Sequence, residues 1–225
     1  DYFKKKNILA TVTAGPTREY IDPVRYISNE SSGKQGYEIA LELSRLGIKT
    51  TLISGPTNIN YSNEIKVKKI ISGKQMFNEI KKTLPTDIAV CTAAVSDFKP
   101  IMKNKQKLKK KINLDKIQLE QNPDILEFLG KNNRHRPKLL VGFSAETENI
   151  IKNSVEKMHE KHCDIIVAND VSSKETGFNV DFNEVTIIEN NGEIQKIKKG
   201  SKKFVASLIA KKIINSFLDI KKRLN

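Results

Sequence analysis

Tryptophan is absent from this 225-residue chain and aromatic residues make up only 6% of it. That leaves too few rings for the stacking platforms on which single-stranded nucleic acid is usually held. Cysteine is nearly absent too. Cys91 and Cys163 are the only two and lie far apart in apolar stretches, which excludes a disulfide framework and points to a reducing cytoplasm. Three histidines, His135, His159 and His162, sit in polar or charged surroundings. They support neither a zinc site nor a Ser-His-Asp or Cys-His arrangement. No apolar run approaches the roughly 20 residues of a membrane-spanning helix, and the basic start Asp1 to Asn7 leads into no secretory h-region. The expectation is a cytoplasmic protein with no membrane partner. No Pro-rich or Gly/Ser-rich linker splits the chain, so one large domain is expected.

Positive charge, by contrast, is plentiful: 40 Lys and Arg face 26 Asp and Glu, for a net +14. Only six of the forty are Arg, and Lys, Ile and Asn are abundant throughout. A solvated lysine surface is the better reading of that excess, and nucleic acid is not an expected partner.

Apolar, β-rich runs, several of them continuously apolar rather than alternating, recur at Asn7 to Val12, Ile48 to Ser54, Ile65 to Ile71, Ile88 to Thr92, Leu139 to Phe143 and Ile165 to Ala168. Amphipathic stretches lie between them: Gly33 to Leu46, Lys74 to Thr83, Asp124 to Lys131 and Glu148 to Lys161. This alternation predicts an α/β fold, Rossmann-like and doubly wound, with a mainly parallel sheet. The tail departs from it. Val185 to Glu189, Asn190-Asn191-Gly192 and Ile194 to Ile197 read as a C-terminal β-hairpin, and Lys202 to about Ile220 as a covering helix. Lys99 to Lys111 shows no core pattern, carries Lys105, Lys107, Lys109, Lys110 and Lys111, and follows a strand end.

In an open α/β sheet the ligand crevice lies beyond the carboxyl ends of the strands, so the residues after each apolar run matter most. After the first come Thr13-Ala14-Gly15-Pro16-Thr17-Arg18 and, further on, Asn29-Glu30-Ser31-Ser32-Gly33-Lys34-Gln35-Gly36 at a helix start. Small residues and free N–H groups there suit a phosphate, although a Gly-rich turn that simply starts a helix gives the same pattern. The stretch is no Walker A loop, because Ser28 replaces its first Gly and Gln35 its Ser or Thr; nor is it GxGxxG.

The second run ends in Ser54-Gly55-Pro56 without the acid that holds a ribose, which disfavours a nicotinamide-dependent oxidoreductase. Cys91-Thr92-Ala93-Ala94-Val95-Ser96-Asp97 lets a base or sugar approach the backbone, and Asp97 is the candidate carboxylate for a hydrated Mg²⁺ beside phosphates. It serves equally as a cap. Asn122-Pro123-Asp124-Ile125 opens a helix with an acid near its dipole, Lys157 and Lys161 share a helix face, and Asn169-Asp170 follows the last run. Together these give cations, amide donors and one or two acids, with no nucleophile-base pair. Binding and activation of a polyanion fits better than hydrolysis. A basic α/β domain that binds nucleic acid is the alternative from another class.

These blocks, with Ile21-Asp22-Pro23-Val24-Arg25-Tyr26-Ile27-Ser28-Asn29, Lys107-Leu108-Lys109-Lys110, Gly142-Phe143-Ser144-Ala145-Glu146-Thr147 and Ala168-Asn169-Asp170-Val171-Ser172, resemble the phosphopantothenate-cysteine ligase domain. That domain uses CTP in bacteria and is often the C-terminal half of a bifunctional coenzyme A biosynthesis protein. The resemblance covers nearly the whole chain in order. It implies a ligase that joins 4'-phosphopantothenate to cysteine through an acyl cytidylate, releasing pyrophosphate and CMP, with Mg²⁺ or Mn²⁺ as the metal.

Carried over by position, the resemblance implies catalytic roles for Lys107, Asn29, Arg25 and Ala94. It implies CTP contacts at Gly15, Ser32, Gly33, Cys91, Thr92, Ala93, Asp97, Lys107, Pro123, Asp124, Ile125, Leu126, Phe143, Lys157 and Lys161. Asn29, Arg25, Asn169 and Asp170 would hold the acyl substrate. Cys91 and Ser96 stand where the family often has Gly and Ala, which removes no functional group. The resemblance also implies a homodimer, a mobile basic loop at 99–113 within a ligase domain at 7–225, and residues 1–6 as a linker from an N-terminal decarboxylase half. FMN would belong to that half, whose fusion would give a larger oligomer.

Overall fold

The computed structural model describes residues 7–109, 116–170 and 181–224, apart from the side chains of Asp170 and Leu224. The proposed linker 1–6, residues 110–113 of the basic loop and the stretch from Val171 to Asn179 lie outside the described residues.

Chain order begins with β1 (Leu9–Ala14), β2 (Glu19–Tyr20), β3 (Tyr26–Ile27), α1 (Lys34–Arg45), β4 (Lys49–Ser54), β5 (Lys66–Lys69) and α2 (Gly73–Thr83). It continues with β6 (Ile88–Cys91), β7 (Phe98–Pro100), β8 (Leu119–Gln121), α3 (Ile125–Gly130), β9 (Leu139–Glu146), α4 (Ile150–Glu160) and β10 (Ile165–Asp170). The last elements are β11 (Phe182–Glu189), β12 (Ile194–Ser201) and α5 (Lys202–Leu224).

Eight strands form one sheet in the order β12-β11-β10-β9-β6-β1-β4-β5. The six from β10 to β5 pair in parallel, and β11 and β12 add an antiparallel hairpin at the β10 edge. The expected Rossmann-like architecture, with its hairpin and covering helix, is therefore the observed one. Central strands such as β1, buried from Ala10 to Ala14, need apolar or small side chains on both faces because helices cover both.

Two clusters fill those faces. Ile39 and Leu43 of α1 and Val205, Ile209 and Phe217 of α5 pack with Val12, Val90 and Val141. Met76 and Ile80 of α2, Leu129 of α3 and Met158 of α4 pack with Ile53, Ala89, Leu140 and Ile166 on the other side. The chain leaves β1 toward β4 on one side and returns to β6 on the other. That reversal opens a crevice at the carboxyl ends of β1 and β6.

The two strands stay knitted past their ends. Thr92 Oγ1 donates to the Thr13 carbonyl at 2.6 Å, Ala94 N to the Gly15 carbonyl at 3.0 Å and Ser96 N to Thr17 Oγ1 at 3.1 Å. The segment from Lys99 is less irregular than its sequence suggests. Phe98–Pro100 pairs antiparallel with Leu119–Gln121, and Lys99 meets Glu120 at 3.3 Å. The basic stretch is thus rooted in a two-stranded ribbon, because Lys99 carries an extended backbone and a cross-strand partner.

Candidate active site

Two adjoining cavities occupy the crevice. The first, about 350 Å³, is lined by Asn29, Ser32, Gly33, Thr92, Ala94 and Asn169 among others. The second, about 490 Å³, is lined by Cys91, Pro123, Asp124, Ile125, Leu126 and Lys161 among others. Ala93, Val95, Asp97, Phe143 and Lys157 line both. Most of the candidates, drawn from six separate stretches, therefore converge on one place.

The first cavity is walled by the start of helix α1. Helix α1 starts at Gly33 with φ 74° and no side-chain cap from that residue; the Gly33 N–H donates to Ser31 Oγ at 3.3 Å and the Lys34 N–H to Ser32 Oγ at 3.5 Å, and residues Gly33 to Gly36 line the cavity. A side chain at Gly33 would bring Cβ within 2.8 Å of Thr57 and 3.1 Å of Gly15. Glycine lets these loops close on each other. Lys34, at the rim, pairs with Asp181 at 2.5 Å.

Deeper in, Lys202 opens α5 and is only 6% exposed. Burial, and then the charge of Lys34, lower its pKa, while Asp181 counters them. Asn183 is also buried and donates from Nδ2 to Gln35 Oε1 at 3.1 Å. Among the described residues Asn169 Oδ1 is buried without a hydrogen-bond partner, an acceptor left open beside the cavity.

Lysine, glutamate and aspartate organise the second cavity. Asp124 caps α3, accepting from Glu127 N at 2.9 Å, as its place in the sequence suggests. Lys161 reaches both Asp124 and Glu127 at 3.1 Å. Burial pulls the Lys161 pKa down, but those two hydrogen-bonded carboxylates outweigh it and the net shift is upward. Hydrogen bonds from Lys131 and Lys161 hold Glu127 down at about 2. Burial pushes the Cys91 thiol up to about 12, so it lines the cavity as a neutral group and offers no thiolate. Both cysteines are free.

Three candidates lie outside the cavity walls. Gly15, at φ 76°, sits behind Gly33 and accepts from Ala94 N. Arg25 binds Asp22, with Nη2 to Oδ2 at 2.6 Å, and donates from the same Nη2 to the Leu108 carbonyl at 2.7 Å. Lys107, the residue before Leu108, is exposed. The Asp170 side chain is outside the described set. Sequence reasoning missed Lys202 and Asn183 as lining residues. No local signal marks either: Lys202 arrives because α5 packs against α1, where Gln35 Nε2 donates to its carbonyl from 167 residues upstream, and Asn183 arrives with β11 to meet Gln35, 148 residues upstream.

No group of three or more His, Cys, Asp or Glu able to hold a metal ion occurs among the described residues. Asp97 is the carboxylate common to both cavities. One carboxylate beside a polyanion site matches the way Mg²⁺ is held largely by substrate phosphates and water.

The fold and crevice define a class: a Rossmann-like α/β domain with its candidate site at the topological switch point of the sheet. Residues 3–217 match the DNA/pantothenate metabolism flavoprotein C-terminal domain, and the chain belongs to that family. It is 38% identical over 222 residues to the coenzyme A biosynthesis bifunctional protein CoaBC of Haemophilus influenzae, covering 96% of this chain and 55% of that protein. With the CoaBC of Borreliella burgdorferi it shares 39% identity over 214 residues, 94% of this chain and 53% of the relative. The chain thus spans about half the length of these curated relatives. A crystal structure of the C-terminal domain of CoaBC superposes with a TM-score of 0.80 at 35% identity, covering 94% of this chain and 96% of that one.

Proposed function

We propose that this chain is a ligase of coenzyme A biosynthesis that joins 4'-phosphopantothenate to cysteine at the expense of CTP. The observation that carries the reading is the pair of cavities meeting at Asp97, Phe143 and Lys157. An acyl substrate and a nucleotide bound side by side would there place a carboxylate against an α-phosphate.

A carboxylate resists attack by an amine because it is a poor electrophile and its oxygen leaves poorly. In the proposed reaction that oxygen attacks the α-phosphorus of CTP, the bond to the β-phosphate oxygen breaks and pyrophosphate departs. The cysteine amine then attacks the acyl carbon of the cytidylate, CMP leaves and the amine loses a proton. In that scheme Ser32 and Gly33 at the α1 start contact CTP, as the resemblance implies, and Lys34 and Lys202 hold the phosphate of the acyl substrate. Asn29 orients the acyl phosphate, Lys157 and Lys161 take the nucleotide phosphates, and Asp97 would hold Mg²⁺ or Mn²⁺, whose chemistry is to offset phosphate charge.

Positioning and charge compensation do the catalysis, so no nucleophilic side chain is required. Arg25 and Ala94 complete the acyl site, and Lys107 offsets charge on the departing pyrophosphate. The same reading includes a cytoplasmic homodimer and a preceding FMN-bearing decarboxylase half, in keeping with relatives about twice as long.

The test is pyrophosphate release with phosphopantothenate and Mg²⁺, comparing CTP with ATP. Release with CTP well above that with ATP is the expected result. Equal turnover with the two nucleotides would refute the base assignment.

A further inference from the structure

Asp22 appears in none of the site assignments above, yet it is the most completely engaged carboxylate near them. It is fully buried at 0% exposure. Its Oδ1 accepts from the N–H groups of Val24 and Arg25, both at 2.9 Å. Its Oδ2 accepts from Arg25 Nε at 2.9 Å, Arg25 Nη2 at 2.6 Å and the Leu108 N–H at 3.2 Å. Arg25 and Leu108 are 83 residues apart and are clasped twice, since Arg25 Nη2 also donates to the Leu108 carbonyl at 2.7 Å. A third tie runs from Asn104 N to the Ile21 carbonyl at 2.9 Å.

Both main-chain polar groups of Leu108 are therefore pinned to the turn that carries Arg25. Four residues on, Asn29 lines the first cavity and donates from Nδ2 to the Val95 carbonyl at 3.2 Å. The chain thus has one buried joint between the segment bearing Lys107 and the segment bearing Arg25 and Asn29. A surface ion pair would not need a carboxylate with all its acceptor sites used and no exposure. A joint that fixes one backbone against another does.

We propose that Asp22 is a positioning residue, acting through Leu108 to hold Lys107 in register with Arg25 and Asn29. The proposal rests on the ligase reading, since it assigns Asp22 to the same step as Lys107.

The test is a double-mutant cycle of Asp22→Asn with Lys107→Gln in the full chain, read by the single-turnover rate of pyrophosphate release. The near-isosteric Asn removes the charge and one acceptor. In the native background it lowers the rate about 10-fold or more, the scale for a misplaced catalytic group, with little change in KM for CTP. With Gln at 107 the same change costs little further. Equal losses in the two backgrounds would show a merely structural role and overturn the proposal.

Hydrogen exchange at the Leu108 amide is measured on the same samples without substrate. Faster exchange in the Asn variant supports the joint, and unchanged exchange refutes it. A native chain that releases no pyrophosphate sinks the ligase reading and the catalytic half of the proposal, while the exchange result still decides the joint. Should Asp22→Asn fail to fold, Asp22→Glu, which keeps the charge but displaces the carboxylate from the Leu108 N–H, takes its place in the cycle.

Discussion

Lys107 is one residue from a pinned point, yet it is exposed and lines neither cavity. A lysine there works through reach, because its flexible stem carries a point charge to a phosphate without demanding a planar partner. Lys107→Gln keeps a hydrogen-bonding end group on a stem one atom shorter but loses the charge. It should lower pyrophosphate release by about 10² or more, the scale for one preorganised donor to a developing anion. A purified variant with near-normal turnover would remove Lys107 from the mechanism.

The joint beneath it keeps its charge at working pH. Burial raises the Asp22 pKa, but the hydrogen bonds from Val24, Arg25 and Leu108 outweigh burial and the net shift is downward. A carboxylate depressed in the folded state contributes stability that is complete above the unfolded value of about 3.9 and is lost only as pH falls through the folded one. Neutral-pH rates should therefore carry no acid limb from Asp22.

At the scale of elements, the helix starts do most to shape the site. Gly36, in the first turn of α1, faces the crossing of β1 and β6. A Cβ there would lie 2.1 Å from Thr92 Oγ1 and 2.7 Å from the Ala14 Cβ. Gly36→Ala, usually favourable in a helix, should instead lower the melting temperature through a loss of about 1–3 kcal/mol, the cost of overpacking, because α1 must lift off the sheet. An unchanged melting curve would mean that the helix shifts freely.

Sequence periodicity located these elements well. The apolar runs ending at Ser54 and Thr92 end in the structure at Ser54 and Cys91. The helix read from Lys74 to Thr83 is Gly73–Thr83, with Ser72 and Gln75 forming its capping box. Boundaries slipped where strand pairing rather than apolar pattern decides them: β1 runs Leu9–Ala14 beside β4, and β9 continues to Glu146 beside β10, past the last run of apolar residues. The ribbon of β7 and β8 was not legible, since its strands of three residues each carry no alternation long enough to register.

For the whole molecule, the site was readable where each block lies at a strand end, and unreadable where packing of distant elements supplies it. Asn29 and Asp97 follow strands, Asp124 opens a helix and Asn169 lies at the carboxyl end of β10, so the rule for open sheets finds them. Lys202 and Asn183 come from the hairpin and covering helix, and only the completed sheet shows them beside α1. The excess of lysine behaves as a solvated shell over much of the surface: Lys82, Lys131, Lys138 and Lys222 pair with acids at exposed positions, contacts of small individual worth. Lys157, Lys161 and Lys202 differ because they line the crevice.

The most direct test of the two-cavity account is a two-step single-turnover reaction with phosphopantothenate, CTP and Mg²⁺, followed by mass spectrometry before and after cysteine is added. The account predicts an acyl cytidylate and pyrophosphate in the first step, then the amide and CMP on addition of cysteine. A folded chain that forms no acyl cytidylate, or that retains it unchanged when cysteine is added, would contradict it.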